Sequence, residues 1–373
     1  MNRRDFLGAS AALGLAAAYP HAAVAADKSD GKMVRTVLGP VDPARLGMTL
    51  MHEHAPLVDW SELYETPAAD VEPIREQMLS ATAVQLKAFH DSLDPQDGMG
   101  AIVECTPIRV GRYPHLLADL ARRIPVYLIG CTGFWCEAMA PQHPWAVKWT
   151  VDPDGVKKLA KLYIREITEG MEDPSGSWGE RFTDIKPGII KVATSTWLRP
   201  SERRCHEAAA IASRETGCPI TTHTTDGGGV EEAQLLLSLG VAPDKCIIGH
   251  QGNMDDRKHE EADQAHLQIA GLGCYVQFDR VGGDKYSCQK VARQIQRLVA
   301  AGHAEQVLVG HDHVPYLYTK YTQSDKPVDG FQANEADFTI VSKQLPAALR
   351  DAGLTDQAIR TITIDNPRRV LAF

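Results

Sequence analysis

Positive charge is in short supply: 39 Lys and Arg stand against 48 Asp and Glu in 373 residues, a formal net charge of -9. With no basic patch interleaved with aromatics, nothing draws the chain to nucleic acid or to an anionic membrane surface. Apolar runs long enough to cross a bilayer are missing too. The longest, from about Phe6 to Tyr19, falls short of the roughly 20 residues a spanning helix needs. No glycine-rich phosphate loop follows an early strand, which argues against a doubly wound nucleotide-binding sheet. Cys131 and Cys136 are five apart, with no second such pair among the 8 cysteines to complete a structural zinc site. A chain this large needs no disulfide framework. Cys105, Cys131, Cys218, Cys246 and Cys274 sit in or beside β-branched runs, as small buried hydrophobes do.

The short apolar run follows Arg3-Arg4 and ends near the small residues Ala23-Val24-Ala25. A basic start, an Ala/Gly/Leu run and a small-residue cleavage site together read as an export signal over residues 1–26. Arg3-Arg4 before Asp5-Phe6-Leu7 resembles a twin-arginine signal, a route for proteins already folded, and the expected address is the periplasm. Beyond it, no linker, short repeat or composition break divides the chain, so residues 27–373 are expected to form one domain.

Eight short apolar runs suit buried parallel strands: Met48–His54, Gly100–Thr106, Pro125–Thr132, Gly188–Ser195, Cys218–Thr224, Cys246–Gly252, Cys274–Arg280 and Gln306–Asp312. Between them lie stretches with apolar residues at helical spacing, among them Val71–Leu93, Tyr113–Arg123, Gly155–Gly170, Ser201–Gly217, Gly229–Gly240 and Gln289–Gly302. Several end at glycine, as helices do. Eight alternations predict an α/β chain folded as a (β/α)8 TIM barrel, with its active site at the carboxyl ends of the strands.

That end is crowded with reactive side chains. The first strand ends in His52-Glu53-His54, the fourth carries Lys191, the fifth ends at His223, the sixth at His250 and the eighth at Asp312. Residues i and i+2 of a strand project to one face about 7 Å apart, so His52 and His54 can grip one ion while Glu53 points away. Imidazole with carboxylate suits zinc, cobalt, manganese or iron better than calcium. A lone histidine at a strand end is more often a hydrogen-bonded structural residue than a ligand. Four of 14 histidines on one barrel face, joined by an aspartate, point to a metal site. Lys191, between Ile190 and Val192, is costly to bury as a cation and so should be paired, neutral or modified. Carboxylation by CO2 would make it a bridging anion; an ion pair with a neighbouring acid stays open.

The segments Gly47-Met48-Thr49-Leu50-Met51-His52-Glu53-His54, Gly188-Ile189-Ile190-Lys191, Thr221-Thr222-His223-Thr224, Ile248-Gly249-His250 and Gly310-His311-Asp312 occur in order, and the chain ends on Asn366-Pro367-Arg368-Arg369-Val370-Leu371. In this the sequence resembles the phosphotriesterase family of the amidohydrolase superfamily, from about Arg35 to Phe373. The resemblance implies His52, His54 and Asp312 on a buried metal and His223 and His250 on a more exposed one. Carboxylated Lys191 and a hydroxide would bridge two divalent ions, zinc first among them, with Asp312 and Lys191 as catalytic residues. His311 and His313 flank Asp312 on the opposite side and are expected to be structural or to support the ligands.

The resemblance leaves the substrate between lactones and organophosphate triesters. Phe278-Asp279-Arg280 and a short connection from Arg280 to Asp312 resemble the lactonase branch, with Arg280 near the substrate. Trp135, in Gly133-Phe134-Trp135, stands where those lactonases carry tyrosine and is the second candidate for substrate contact. Arg280 paired with an acidic neighbour and Trp135 as a mere closure of the barrel mouth are the plainer alternatives. Tyr316-Leu317-Tyr318 and the stretch to Asn334 suggest a long eighth loop serving as a lid. The leading expectation is a lactone or carboxylic-ester hydrolase with some phosphotriester activity; the alternatives are a dedicated phosphotriesterase and a non-catalytic metal-binding barrel. The partners expected are a small-molecule ester, no nucleic acid and no membrane span in the mature form, with a homodimer as an assembly to test.

Overall fold

The computed structural model describes residues 31–55, 57–58, 68–108, 110–134, 149, 152–175, 179–195, 198–225, 229–253, 259–282, 286–318, 332–333 and 337–373. The expected export segment 1–26 and Trp135 lie outside them. Each of the eight apolar runs supplies one barrel strand. They are β1 (Leu46–Glu53), β2 (Met99–Glu104), β3 (Tyr127–Ile129, resuming as Cys131–Gly133), β4 (Ile189–Ala193), β5 (Ile220–His223), β6 (Cys246–Ile248), β7 (Tyr275–Phe278) and β8 (Val307–Val309). All neighbouring pairs are parallel, from β1 with β2 to β7 with β8. The ring closes where the Asp312 amide donates to the His52 carbonyl at 2.9 Å and the His54 amide to the His313 carbonyl at 2.9 Å.

The strands read as unbroken apolar runs because both faces are covered. One face turns inward, where Ala101, Val103, Ile129, Cys131, Ile189, Ile247 and Leu308 fill the barrel; the other bears Ile102, Leu128, Ile190, Val192, Ile220, Ile248 and Val276 against helices. The covering helices are α1 (Ala68–Asp91), α2 (Pro114–Arg123), α3 (Gly155–Thr168), α4 (Pro200–Thr216), α5 (Gly229–Ser238), α6 (His259–Gly271) and α7 (Cys288–Ala300). Their ends follow local chemistry. Pro200 opens α4, the Glu202 carboxylate accepts from the Arg199 amide, and Gly217 closes the helix at φ 76°.

Two features were not in the sequence pattern. A hairpin of Val34–Thr36 and Gly39–Val41 and the last helix, Asn366–Leu371, cover the amino ends of the strands. There Lys245 donates to the carbonyls of Val370 (3.0 Å) and Ala372 (2.9 Å), and Met33 and Phe373 exchange backbone hydrogen bonds. At the other end, the described parts of the stretch expected to form an eighth-loop lid make a small sheet: Tyr316–Tyr318 pairs antiparallel with Gln332–Ala333 and parallel with Leu57–Val58 of the first loop. The seven described cysteines are buried free thiols.

A buried ion pair ties α3 to the segment after β2. Arg112 meets both oxygens of Glu166 at 2.8 and 2.6 Å and also donates to the Cys131 carbonyl. Neither side chain is more than 1% exposed. Removing one partner strands a buried charge, at a cost of about 3–5 kcal/mol. Arg112→Ala is therefore expected to lower unfolding free energy by that amount in urea melts, and a loss below about 1 kcal/mol would count against this pair as a major anchor.

Candidate metal centre

The six sequence-selected side chains meet at the carboxyl end of the barrel. His52 is the penultimate residue of β1 and His54 follows the strand; Lys191 stands in the middle of β4 and His223 ends β5. β6 and β8 stop short of the expected limits, at Ile248 and Val309, because the chain turns sharply at His250 and Asp312, both at φ 56°. Left-handed backbone in a non-glycine residue costs on the order of 1–3 kcal/mol and persists only where its surroundings enforce it. Close packing beneath His250 requires Gly249: a Cβ there would lie 2.1 Å from the Thr222 carbonyl oxygen.

One carboxylate orients two of the four imidazoles. Asp279, one residue beyond β7 and fully buried, accepts from Nδ1 of His52 at 2.8 Å and from Nδ1 of His250 at 2.7 Å. It also accepts from the His250 amide at 3.0 Å and from Gln277 Nε2 at 2.7 Å. Because Asp279 can only accept, Nδ1 of both rings carries the proton and Nε2 turns its lone pair to the centre. His54 is held at Nδ1 by the Thr106 hydroxyl at 2.8 Å. Sequence reading singled out Arg280 and passed over its neighbour Asp279. The available signal was an acidic residue at the end of an apolar strand.

The remaining ring atoms converge. His54 Nε2 is 3.1 Å from Asp312 Oδ1, His52 Nε2 is 3.7 Å from the same oxygen, and His250 Nε2 is 3.8 Å from Asp312 Oδ2. His250 Nε2 and His223 Nδ1 approach to 2.6 Å, and Lys191 Nζ stands 2.7 Å from His52 Nε2. Burial, reinforced by Lys191, drops the His52 pKa to about 3. Burial and the neighbouring His250 hold His223 far below the usual histidine range. Burial alone would raise the carboxyls of Asp279 and Asp312, but the adjoining histidines outweigh it and hold both well below the ordinary aspartate value. The result is neutral imidazoles at His52 and His223 beside ionised carboxylates at Asp279 and Asp312.

These atoms fit a divalent ion. Ligand atoms of His52, His54 and Asp312 lie within 4.8 Å of one another. A tetrahedral site with bonds of about 2.0–2.2 Å spaces its ligands roughly 3.3 Å apart, close to the 3.1 and 3.7 Å separations of the two imidazoles from Asp312. Lys191 is wholly buried beside them. Arg280 lies at the rim, its side chain 29% exposed and its Nε 2.9 Å from Asp312 Oδ2, so the acidic-neighbour pairing exists and the partner is a site residue.

Asp279→Asn keeps the shape of the side chain and removes the charge that fixes both rings. Loss of such a support costs roughly 10–100-fold in metal affinity, measurable by chelator competition; unchanged affinity would rule out the orienting role.

Comparison with known proteins gives the family. Residues 32–371 match the model of the phosphotriesterase family. A phosphotriesterase homology protein of Mycobacterium tuberculosis is 30% identical over 342 residues, covering 90% of this chain and 97% of its own. The N-acetyltaurine hydrolase of Mus musculus is 28% identical over 375 residues, covering 91% and 98%. A solved structure from the engineering of organophosphate hydrolysis into a weak promiscuous lactonase superposes with a TM-score of 0.74 at 26% identity, covering 91% and 99%. An imidazole-rich, carboxylate-braced centre on a (β/α)8 barrel, matched along nearly the whole of the described chain, places this protein in the phosphotriesterase family of metal-dependent hydrolases.

Proposed function

We propose that the chain hydrolyses lactones and other carboxylic esters, with organophosphate triesters as side substrates, at a pair of divalent ions. The observation that carries this reading is the meeting of His52, His54, His250, Lys191 and Asp312 around one point, with His223 against His250. His52, His54 and Asp312 would hold the more buried ion, His223 and His250 the more exposed one. Zinc suits the donors best. When bound, the pair supplies hydroxide near neutral pH and polarises the C=O or P=O oxygen of the substrate.

The protein's own groups do the rest. Asp312, held ionised, accepts the proton released as water adds to the ester carbon, and Arg280 keeps its carboxylate aimed at the centre. Lys191, buried with His52 Nε2 at its Nζ, would first give up its ammonium proton and then, as the neutral amine, take up CO2 and lose a second proton as the N–C bond forms, becoming an anion able to bridge both ions. Cleavage of the acyl–oxygen bond then yields a hydroxy acid from a lactone. Support for the ester class comes from Arg280 at the rim of the centre and from the lactonase template named for the solved relative.

A second reading, hydrolysis of an N-acyl amide bearing an anionic tail, is favoured by one observation. Relatives about as similar as the others are N-acetyltaurine hydrolases, and Arg280 offers a partly exposed cation at the rim for a sulfonate or carboxylate.

The deciding measurement is kcat/KM for γ- and δ-lactones, paraoxon and N-acetyltaurine on the same metal-loaded preparation. The ester reading expects the lactones to lead; dominance of paraoxon or of N-acetyltaurine overturns it in favour of that class. For the lysine, Lys191→Ala is expected to abolish turnover, with short carboxylic acids restoring part of it by taking the bridging place. Full activity in the alanine variant would remove Lys191 from the mechanism.

A further inference from the structure

The carboxylate between the first two histidines does more than point away from them. Glu53 is fully buried, and its two oxygens straddle Asp312 along the chain. Oε1 accepts from the His311 amide at 2.8 Å and from His311 Nδ1 at 3.0 Å; Oε2 accepts from the His313 amide at 3.0 Å. The residue bracketed by these two amides is the one whose backbone is forced to φ 56°. His311 is committed on both sides. Its Nδ1–H goes to Glu53, and its Nε2 accepts from the Val341 amide at 3.1 Å. Val341 lies in the short helix Ile340–Lys343, at the far end of the eighth loop. His313, stacked on His311 at 4.6 Å, begins the same loop.

We propose that Glu53 and His311 form a positioning pair that holds Asp312 in its strained conformation and pins both stems of the eighth loop to the metal face. One buried carboxylate fixes the residue before the loop and the amide at its start; the imidazole it holds fixes the amide at its end. Both side chains are fully buried, so they act through Asp312 and the loop stems. Movement of the loop stem is thereby coupled to the direction in which the Asp312 carboxylate points. The proposal rests on Asp312 serving the ions and the proton as described above.

The test uses the full metal-loaded enzyme with its best substrate from the panel above. Glu53→Gln places an NH2 against one backbone N–H, and kcat is expected to fall roughly 10–100-fold, with faster loss of metal to a chelator and little change in KM. His311→Asn keeps an N–H for Glu53 but offers Val341 no acceptor. Loss of that one hydrogen bond is expected to raise KM about fivefold while metal retention stays close to that of the parent. A purely structural role would instead lower Tm in both variants and scale activity with the folded fraction, leaving kcat and KM per folded molecule unchanged; that result overturns the proposal. If Glu53→Gln does not fold, the KM and metal-retention pair in His311→Asn decides alone. Asp312→Asn serves as the reference. Full activity there removes the catalytic reading of Asp312, whereas an inactive Asp312→Asn beside a parental Glu53→Gln removes only the positioning pair.

Discussion

Two imidazoles from the ends of β1 and β6 share one carboxylate, and the chemistry of the site depends on that sharing. Asp279 binds Nδ1 of His52 and of His250 at the same time. Each ring is thereby fixed in tautomer and rotation, with its remaining lone pair facing the centre. The same carboxylate takes the His250 amide and so supports the left-handed turn that brings that residue inward. Burial, which alone would disfavour a charged aspartate, is outweighed by the histidines it serves. The arrangement is mutually reinforcing: the charge holds the rings, and the rings hold the charge.

The fold was legible because a parallel barrel strand covered on both faces must be apolar along its length, and eight such runs alternated with helical spacing. The reactive end was legible too, since His52, His54, His223, His250 and Asp312 each close or follow a strand. What sequence could not show was which side chains act through others. Asp279, Thr106 and Glu53 are remote in sequence from the rings they orient, and their contacts form only when the strands curl into a ring. The turns at His250 and Asp312 were hidden for a related reason. A left-handed residue without glycine leaves no local signature, and only tertiary hydrogen bonds enforce it.

The substrate lies on a different physical footing. The centre is specified by short polar contacts among buried groups, whereas ester, phosphotriester and amide differ in what surrounds the scissile bond. Those surroundings come from the loops above the strands, where Arg280 combines charge with partial exposure beside the centre. Related barrels can thus keep one metal chemistry and carry different substrate names.

The opposite end of the barrel has a separate consequence. Met33 and Phe373 pair at the amino ends of the strands, and Lys245 grips the carbonyls of Val370 and Ala372 there. Phe373 is therefore held a full barrel length from the metal face, so a tether attached at that residue would leave the loops above the strands open to substrate.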